Sequence, residues 1–560
     1  MLNRSQLTRS AHLDAPLWID AIIPVAYVVG VLLIMPLWTQ FEFDTDEGFN
    51  VMKAVLVENG YTLYRDIWND QPPLFTLLLS VIFRLFGSSI FAARFTVLLF
   101  SGLLIYCFHR LVRLSIGIIP AIASSILLVS SYEFVRLSSS VMIGLPSLAL
   151  ALLSLVLMVQ YQGGYKPRIH SLAKTGDRPH HSSIWLYASG LCFAASLHVK
   201  LVTIILIPLY GLHILTPRLL GINPQPFEAI GSVLRGNLSA LKTHPLIPTR
   251  VDVRRALTWL LWLGIPFVIL GVGMHYFQVD QTLRTHLQSR QAIEEFERRS
   301  LSFSYLLDQT SRYDWGIYAL AGLGSTIAVV RRYRRALIPG IWLLIAVIVL
   351  IDHQPVWYHY SPLIMIPLCW LAAYSMMPLV RLLERVTATQ PFEQPQTYPR
   401  RRLYYAVFAL SICIALLSIA TVASEGNRAI AALQPYKDNL GRSPQAELVQ
   451  NMQANMRQAG PESSQWLLTD APIFGFYANM LVPPEVVVFS KKRLLTGQLN
   501  SETILELMQA YAPHQILFSR FAKEMMSQRS IVRYLRQHYR QESVPANPDM
   551  EYFVRVPTRQ

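Results

Sequence analysis

The sequence predicts a mainly α, polytopic membrane bundle of about eleven spans, with interfacial helices in its first external loop and a small external α/β domain at its C-terminus. Three observations predict it. Of the 560 residues, 52% are hydrophobic and 15% charged, against roughly 25% charged in an ordinary soluble domain. The apolar residues gather into repeated runs of about twenty, the length that a hydrocarbon layer of about 30 Å demands. The formal charge of +15 sits in short loops between these runs, which reads as membrane topology, with no nucleic-acid partner expected. Soluble, disordered, collagen-like and disulfide-rich classes are excluded by the same composition.

Candidate spans fall near 19–38, 90–109, 115–132, 139–160, 184–198, 200–216, 257–278, 313–330, 336–351, 360–380 and 403–423. The first follows a weakly basic stretch with Arg4 and Arg9, and no small-residue cleavage site follows it, so it is expected to be a retained span. Pro72 to Phe86 is apolar but short, opens with Pro72-Pro73 and carries Arg84. An interfacial helix fits it better than a crossing.

The basic loops support that choice. Arg110 and Arg113, then Lys166 to Arg178, Arg250 to Arg255, Arg331 to Arg335, and Arg381 and Arg385 with Arg400 to Arg402 all fall on one side if 72–86 does not cross. Basic loops stay cytoplasmic, so the N-terminus is expected in the cytoplasm of a multi-pass plasma-membrane protein. The segment 1–423 is then the membrane domain and 424–560 the external one. The loops 39–89 and 279–312 are external, the second with the helical, charge-mixed QSRQAIEEFERR. The loops 161–183 and 217–256 are polar connectors. In the tail, the short apolar runs WLLTD, EVVVFS, HQILFS and EYFVRV alternate with helical patterns such as SETILELMQAYA, as in a small α/β domain. Cys107, Cys192, Cys369 and Cys413 lie inside apolar runs with no CxxC or Cys/His partner and are expected to be buried, inert thiols.

Chemistry concentrates in the first external loop. Asp44, Asp46 and Glu47 form a carboxylate cluster just outside the first span. In an extended lead-in, Asp44 and Asp46 would share one side and Glu47 would take the other. A helix is predicted over Glu47 to Glu58, closed by Asn59-Gly60. An acid held beside a bilayer is partly desolvated and becomes more basic. The plainer alternative is that Asp46 only caps this helix, which leaves Asp44, Glu47 and the following YRDIWNDQPP unexplained.

The order DTDEG, then GYTLYRDIW at 60–68, Pro72-Pro73-Leu74, Leu85-Phe86-Gly87 and Ala92-Ala93-Arg94 resembles the GT-C fold glycosyltransferases. Within them it is closest to the protein mannosyltransferase and aminoarabinose transferase-like branch. The similarity is dense over about 40–115, with later echoes in Lys200, the WYHYSPL stretch with Pro367, and the α/β tail. The resemblance implies transfer, on the external face, of a sugar from a polyprenyl phosphate to a lipid, glycan or protein acceptor. It also implies Asp46 as catalytic base and Glu47 as the second acid of the pair. A glycosyl phosphate already carries a good leaving group, so the chemistry needs one base and cations for the phosphate. It does not need the acid and base pair of glycosidases, and a direct displacement inverts the anomeric carbon.

Lys200, where two apolar runs meet, is a candidate phosphate partner, with a snorkelling lysine as the alternative. His359 and Tyr360 follow, with an interfacial aromatic belt as theirs. Arg65 is a third, or a salt-bridge partner of Asp66 or Asp70. Asp44 and Gln71 complete the substrate-binding candidates. Some branches of the family place a basic residue shortly after the acid pair and a Lys before the two prolines. Phe49 and Gln71 stand there, which makes aminoarabinose transfer a poor expectation. Carboxylates here could hold a divalent cation, but no ligand spacing assigns one. A transporter or flippase of lipid-linked sugars is the alternative from another class. It would place its ionisable groups at mid-membrane on repeated halves, and no repeat is present. A non-catalytic assembly factor is a third reading, which the retained Asp46 opposes.

Overall fold

The computed structural model describes residues 17–162, 183–215, 248–275, 302–353, 355–387, 398–438, 444–460, 464–544, 547 and 549–556. The connectors 161–183 and 217–256 and the stretch QSRQAIEEFERR lie largely or wholly outside them.

The chain enters through α1 (Ile22–Ile34) and turns into the first loop, which carries α2 (Asp46–Glu58) and α3 (Leu74–Phe86). It then runs through α4 (Ile90–Ile116), α5 (Ile118–Ser130), α6 (Tyr132–Ser139), α7 (Gly144–Tyr161), α8 (Ile184–Val199), α9 (Ile207–Leu215) and α10 (Arg250–Gly273). After α11 (Phe303–Tyr313) come α12 (Trp315–Val330), α13 (Leu337–Asp352), α14 (Pro362–Ala373), α15 (Met377–Thr387) and α16 (Tyr398–Asp438). The core of the bundle is mainly apolar, with Trp259, Trp342 and Trp370 fully buried, and it encloses a few hydrogen-bonded polar side chains such as Ser154, Ser189 and Ser196. The outer face of α10 exposes Leu261, Ile265, Ile269 and Val272, a pattern stable only against lipid.

The count of about eleven spans is not reproduced by helix length. Among the described residues, six helices are long and apolar enough to cross a membrane, or seven if α5 and α6, bent by 69°, form one span. The expected spans at 19–38, 184–198, 200–216 and 313–330 meet apolar helices of at most seventeen residues. The breaks have local causes. Ser131 is extended between α5 and α6, and Lys200, at φ −156° and ψ 125°, separates α8 from a short 3-10 turn before α9.

Three basic clusters meet at one end of the bundle. Asp20 is buried and bonds Arg110 at 2.8 Å and Arg113 at 2.9 Å, while Arg335 caps the last carbonyls of α4 at Leu114 and Ser115. Arg381 reaches Tyr333 of the adjoining turn. Since α4 has 27 residues, and a helix rises 1.5 Å per residue, its Arg94 end lies about 30 Å away. The carboxylate cluster is at that far end.

Helix α3 does not behave as a bundle core element. It buries Phe75, Leu79 and Phe83 against α2 and leaves Leu85 and Phe86 exposed. Of the four cysteines, Cys107 and Cys369 are buried, Cys192 is partly covered and Cys413 is exposed, because it lies on an outward face of α16.

Helix α16 passes the expected domain boundary at 423/424 without a break. The tail then folds as α17 (Pro444–Ala459), β1 (Leu467–Thr469), α18 (Pro472–Ala478), α19 (Lys491–Leu495), α20 (Ser501–Tyr511), β2 (Gln515–Phe518), α21 (Ala522–Met526), α22 (Arg529–His538), β3 (Tyr539–Glu542) and β4 (Glu551–Arg555). The sheet order is β1-β2-β4-β3, with β1 and β2 parallel and the other pairs antiparallel. EVVVFS is not a strand: Val486 to Phe489 are buried as an irregular segment. The fourth strand is β3, whose Arg540 and Gln541 face solvent.

The tail and the first loop share one hydrophobic core. Val51, Met52, Phe75 and Phe83 pack in the same cluster as Ile473, Phe476, Val486 and Phe518. The Tyr477 hydroxyl donates to the Phe41 carbonyl at 2.9 Å, and the Trp68 N–H donates to the Pro484 carbonyl at 3.3 Å.

Candidate active site

The carboxylate cluster is built by the turn that starts α2. Thr45 already has helical dihedrals, so the extended alternation expected of 44–47 does not occur and the helix opens at Asp46. Asp44 does the capping: its Oδ1 accepts the Asp46 N–H at 3.0 Å, and its backbone carbonyl accepts the Glu47 N–H at 3.0 Å. Asp46 is thereby released from the cap role. Its half-buried carboxylate has no hydrogen bond or salt bridge among the described residues.

Glu47 is fully buried and fully engaged. Arg94 forks onto it with Nη2 at 2.8 Å and Nε at 3.0 Å, and the N–H groups of Phe43 and Val141 donate at 2.7 and 2.8 Å. Arg94 also donates to the carbonyls of Leu37, Gln40 and Phe41. A carboxylate with all its acceptor sites taken is poorly suited to collect a proton. Its visible work is to tie the first loop to α4 and to the turn before α7.

Asp44 faces the bundle. Its Oδ2 accepts from Arg136 Nη1 at 3.0 Å and from the Tyr358 hydroxyl at 2.8 Å, and the Arg136 guanidinium lies 4.2 Å from the centre of the Tyr358 ring. Tyr358 is the second residue of the WYHYSPL stretch, directly before His359 and Tyr360. Tyr360 receives Lys200 Nζ over its ring at 4.7 Å and meets His353 Nε2 at 3.2 Å through its hydroxyl. The His359 and Tyr360 rings lie 4.8 Å apart. The break that interrupts the spans at Lys200 is thus what aims this lysine, 8% exposed, at the loop.

Gln71 lies on the opposite flank. Its carbonyl accepts from the Tyr64 hydroxyl at 2.6 Å and from Asn69 Nδ2 at 2.8 Å. Asn69 Oδ1 in turn accepts from Lys53 Nζ at 3.0 Å. Lys53, one turn beyond Phe49 on α2 and 3% exposed, is a cation that sequence reasoning passed over. Arg65 is not brought to the site: its side chain is 71% exposed and it forks onto Asp66 at 3.0 and 3.1 Å.

The tail supplies a further cation. Arg520 follows β2, and its guanidinium lies 5.2 Å from the Phe49 ring centre. It also acts electrostatically on Asp46 and Glu42. Nothing in the sequence around Arg520 signals this, because only the tertiary fold carries residue 520 back to residue 46.

Burial, reinforced by the Asp44 charge, pushes Asp46 up to about 6 against the pull of Arg520, Lys200 and Lys53. Burial likewise raises Glu42 to about 7 and lowers Lys53 to about 8. Among the described residues, no three His, Cys, Asp or Glu side chains converge as a metal-ligand group. Among the described residues the arrangement offers two unengaged carboxylates of raised basicity, Asp46 and Glu42, and of the two it is Asp46 on which Lys200, Lys53 and Arg520 all act. That is what a hydroxyl acceptor and an anionic leaving group require.

Residues 70–222 match a family model described as dolichyl-phosphate-mannose-protein mannosyltransferase. A comparison with curated protein sequences finds no significant match. Among solved structures, the apo form of ArnT from Cupriavidus metallidurans is similar over 95% of this chain and 97% of its own, at 15% identity and a TM-score of 0.56. The same protein bound to undecaprenyl phosphate gives 16% identity, 95% and 98% coverage and a TM-score of 0.56. The archaeal oligosaccharyltransferase AglB from Archaeoglobus fulgidus is similar over 99% of this chain and 75% of its own, at 10% identity and a TM-score of 0.54. The chain therefore has the GT-C glycosyltransferase fold from first span to external tail.

Proposed function

We propose that the chain is an integral-membrane, inverting glycosyltransferase that takes a sugar from a polyprenyl phosphate, with Asp46 as its base. The observation that carries this reading is the unengaged Asp46 carboxylate, raised to about 6, within reach of the charges of Lys200, Lys53 and Arg520. ArnT, of the same fold, binds undecaprenyl phosphate, and the mannosyltransferase match supports the same donor class.

In the reaction, Asp46 takes the proton of an acceptor hydroxyl as that oxygen attacks the anomeric carbon from the face opposite the phosphate. The bond from the anomeric carbon to the phosphate oxygen breaks, and the polyprenyl phosphate leaves with the electron pair. Lys200, held over Tyr360, and Lys53, held by Asn69, neutralise that charge. His359 lies beside Lys200 and assists in binding the donor phosphate. Asp44 orients Asp46 through its N–H, and Glu47 holds the whole turn in place through Arg94. Asp46 then returns its proton to water.

The test is turnover with a panel of undecaprenyl- and dolichyl-phosphate hexoses and pentoses, which also decides the sugar class. At least one donor should release polyprenyl phosphate, and Asp46→Asn should lower that rate by about 10²–10⁴-fold, the usual worth of a general base. An Asn variant with more than about a tenth of the wild-type rate removes Asp46 from the mechanism.

We place the carboxylate cluster and tail outside the cell membrane and the N-terminus inside, because the basic clusters gather at the other end. In a chain lacking its native thiols, a cysteine replacing Glu502 should react with an impermeant reagent on intact cells, and one replacing Arg332 should not. The reverse pattern inverts the topology.

A further inference from the structure

We propose that the notch between residues 41–45 and the C-terminal fold is an anion-binding subsite of the transfer reaction, with Arg520 as the group that holds a phosphate or carboxylate oxygen of a substrate. The inference rests on the reading of Asp46 as base.

Four observations carry it. The notch is lined by Glu42 and Thr45 on one wall and by Gln445, Ser519 and Arg520 on the other, so it opens beside Asp46. Arg520 is exposed and makes no salt bridge or side-chain hydrogen bond among the described residues, although its ring contacts with Phe49 and Phe521 fix its direction. Its backbone is held with unusual care. Asp470, fully buried at the end of β1, accepts the N–H groups of Ser519, Arg520 and Phe521 at 2.8, 2.8 and 2.6 Å. Finally, the tail is seated directly on α2: a Cβ at Gly48 would lie 2.7 Å from the Ile473 nitrogen. A guanidinium on a clamped loop, with no hydrogen-bonded partner among the described residues and lining a notch of mixed polar and apolar walls in which it is the one cation, is organised for an anion, because its planar fork matches phosphate and carboxylate oxygens.

Two sources share this chemistry: the phosphate of the donor and an anionic group on the acceptor. They are distinguished with the full-length protein in lipid nanodiscs, the best donor of the panel above, and a total lipid extract of the native membrane as acceptor source. Arg520→Ala should raise the half-saturating concentration of one of the two by at least tenfold, and Arg520→Lys should recover part of it. A rise confined to the donor assigns the donor phosphate, and one confined to the lipid extract assigns the acceptor anion. Arg520→Gln should also move the acid limb of the pH–rate profile upward by a few tenths of a unit, because a cation acting on Asp46 is lost. Arg529→Ala, on the outside of the same fold, serves as the folding control. Half-saturation values and an acid limb that all stay at wild-type in Arg520→Ala and Arg520→Gln overturn the subsite. A transfer rate that survives Asp46→Asn overturns the underlying reading instead, whatever Arg520 does.

Discussion

Arg94 grips Glu47 through two bonds of 2.8 and 3.0 Å, with both side chains wholly removed from solvent. Adjacent acids in the chain therefore have opposite duties, since Asp46 is left unengaged while Glu47 is saturated. The helix start separates them. Asp46 is half-buried with its carboxylate unbonded among the described residues, whereas Glu47, about 100° further round α2, points into the protein.

Removing one member of a buried pair strands the other charge, at a cost of about 3–5 kcal/mol. Glu47→Ala is therefore expected to lower the unfolding temperature sharply, whereas Asp46→Asn leaves it close to wild-type. Replacing both Glu47 and Arg94 by leucine should recover part of the loss. Equal thermal stability of Glu47→Ala and wild-type would return Glu47 to the list of catalytic acids.

The pH dependence follows from the direction of the Asp46 shift. A base works deprotonated, and Asp46 is raised to about 6, so kcat/KM should climb with pH through about 6 and level off above it. One unit below, roughly a tenth of the carboxylate remains, and activity should fall in proportion. An acid limb near 4 would mean that the base is an ordinary exposed carboxylate and not this one.

Much of this was legible in the sequence because it depends on local pattern. The apolar runs mark the helices, DTDEG marks the start of α2, and Pro72-Pro73 marks the start of α3. Lys200 was legible because an ionisable residue between two apolar runs is conspicuous. The partners of Arg94 and Arg136 were not, since Arg94 enters only as the end of the Ala92-Ala93-Arg94 motif and Arg136 carries no local signal. Only the fold shows that these arginines meet Glu47 and Asp44. Strand β3 was hidden because an edge strand with Arg540 and Gln541 outward carries no apolar alternation, and EVVVFS misled because a buried irregular segment has the composition of a core strand.

Lys200 and His359 should affect donor use before they affect chemistry. Loss of a charge-assisted contact to a phosphate costs roughly 1.5–3 kcal/mol. Lys200→Ala is expected to raise the donor KM by one to two orders of magnitude, with a smaller effect for His359→Ala. Lys53→Ala should behave like Lys200→Ala, with a small added stability cost because Asn69 Oδ1 then keeps only the Gln71 N–H at 3.3 Å. Donor dependence at wild-type level in all three variants would place the phosphate elsewhere.

The last prediction concerns the seat of the tail on α2. Gly48 lies within α2, where its missing side chain has a purely steric purpose: an added Cβ would come within 2.7 Å of a backbone nitrogen and 3.0 Å of Cβ at Ile473. Backbone atoms in α18 cannot turn aside as a flexible side chain would, so Gly48→Ala must push the two bodies apart. Overpacking of this kind costs about 1–3 kcal/mol. The displaced body also carries Arg520, so the loss of transfer should exceed what reduced stability alone produces. Gly30→Ala, in α1 with nothing within 4 Å of the added atom, should be neutral or slightly stabilising, as helix propensity dictates. Limited proteolysis of the intact protein should release the tail faster in Gly48→Ala than in Gly30→Ala. Equal release, with equal activity, would mean that the tail and α2 do not act as one unit.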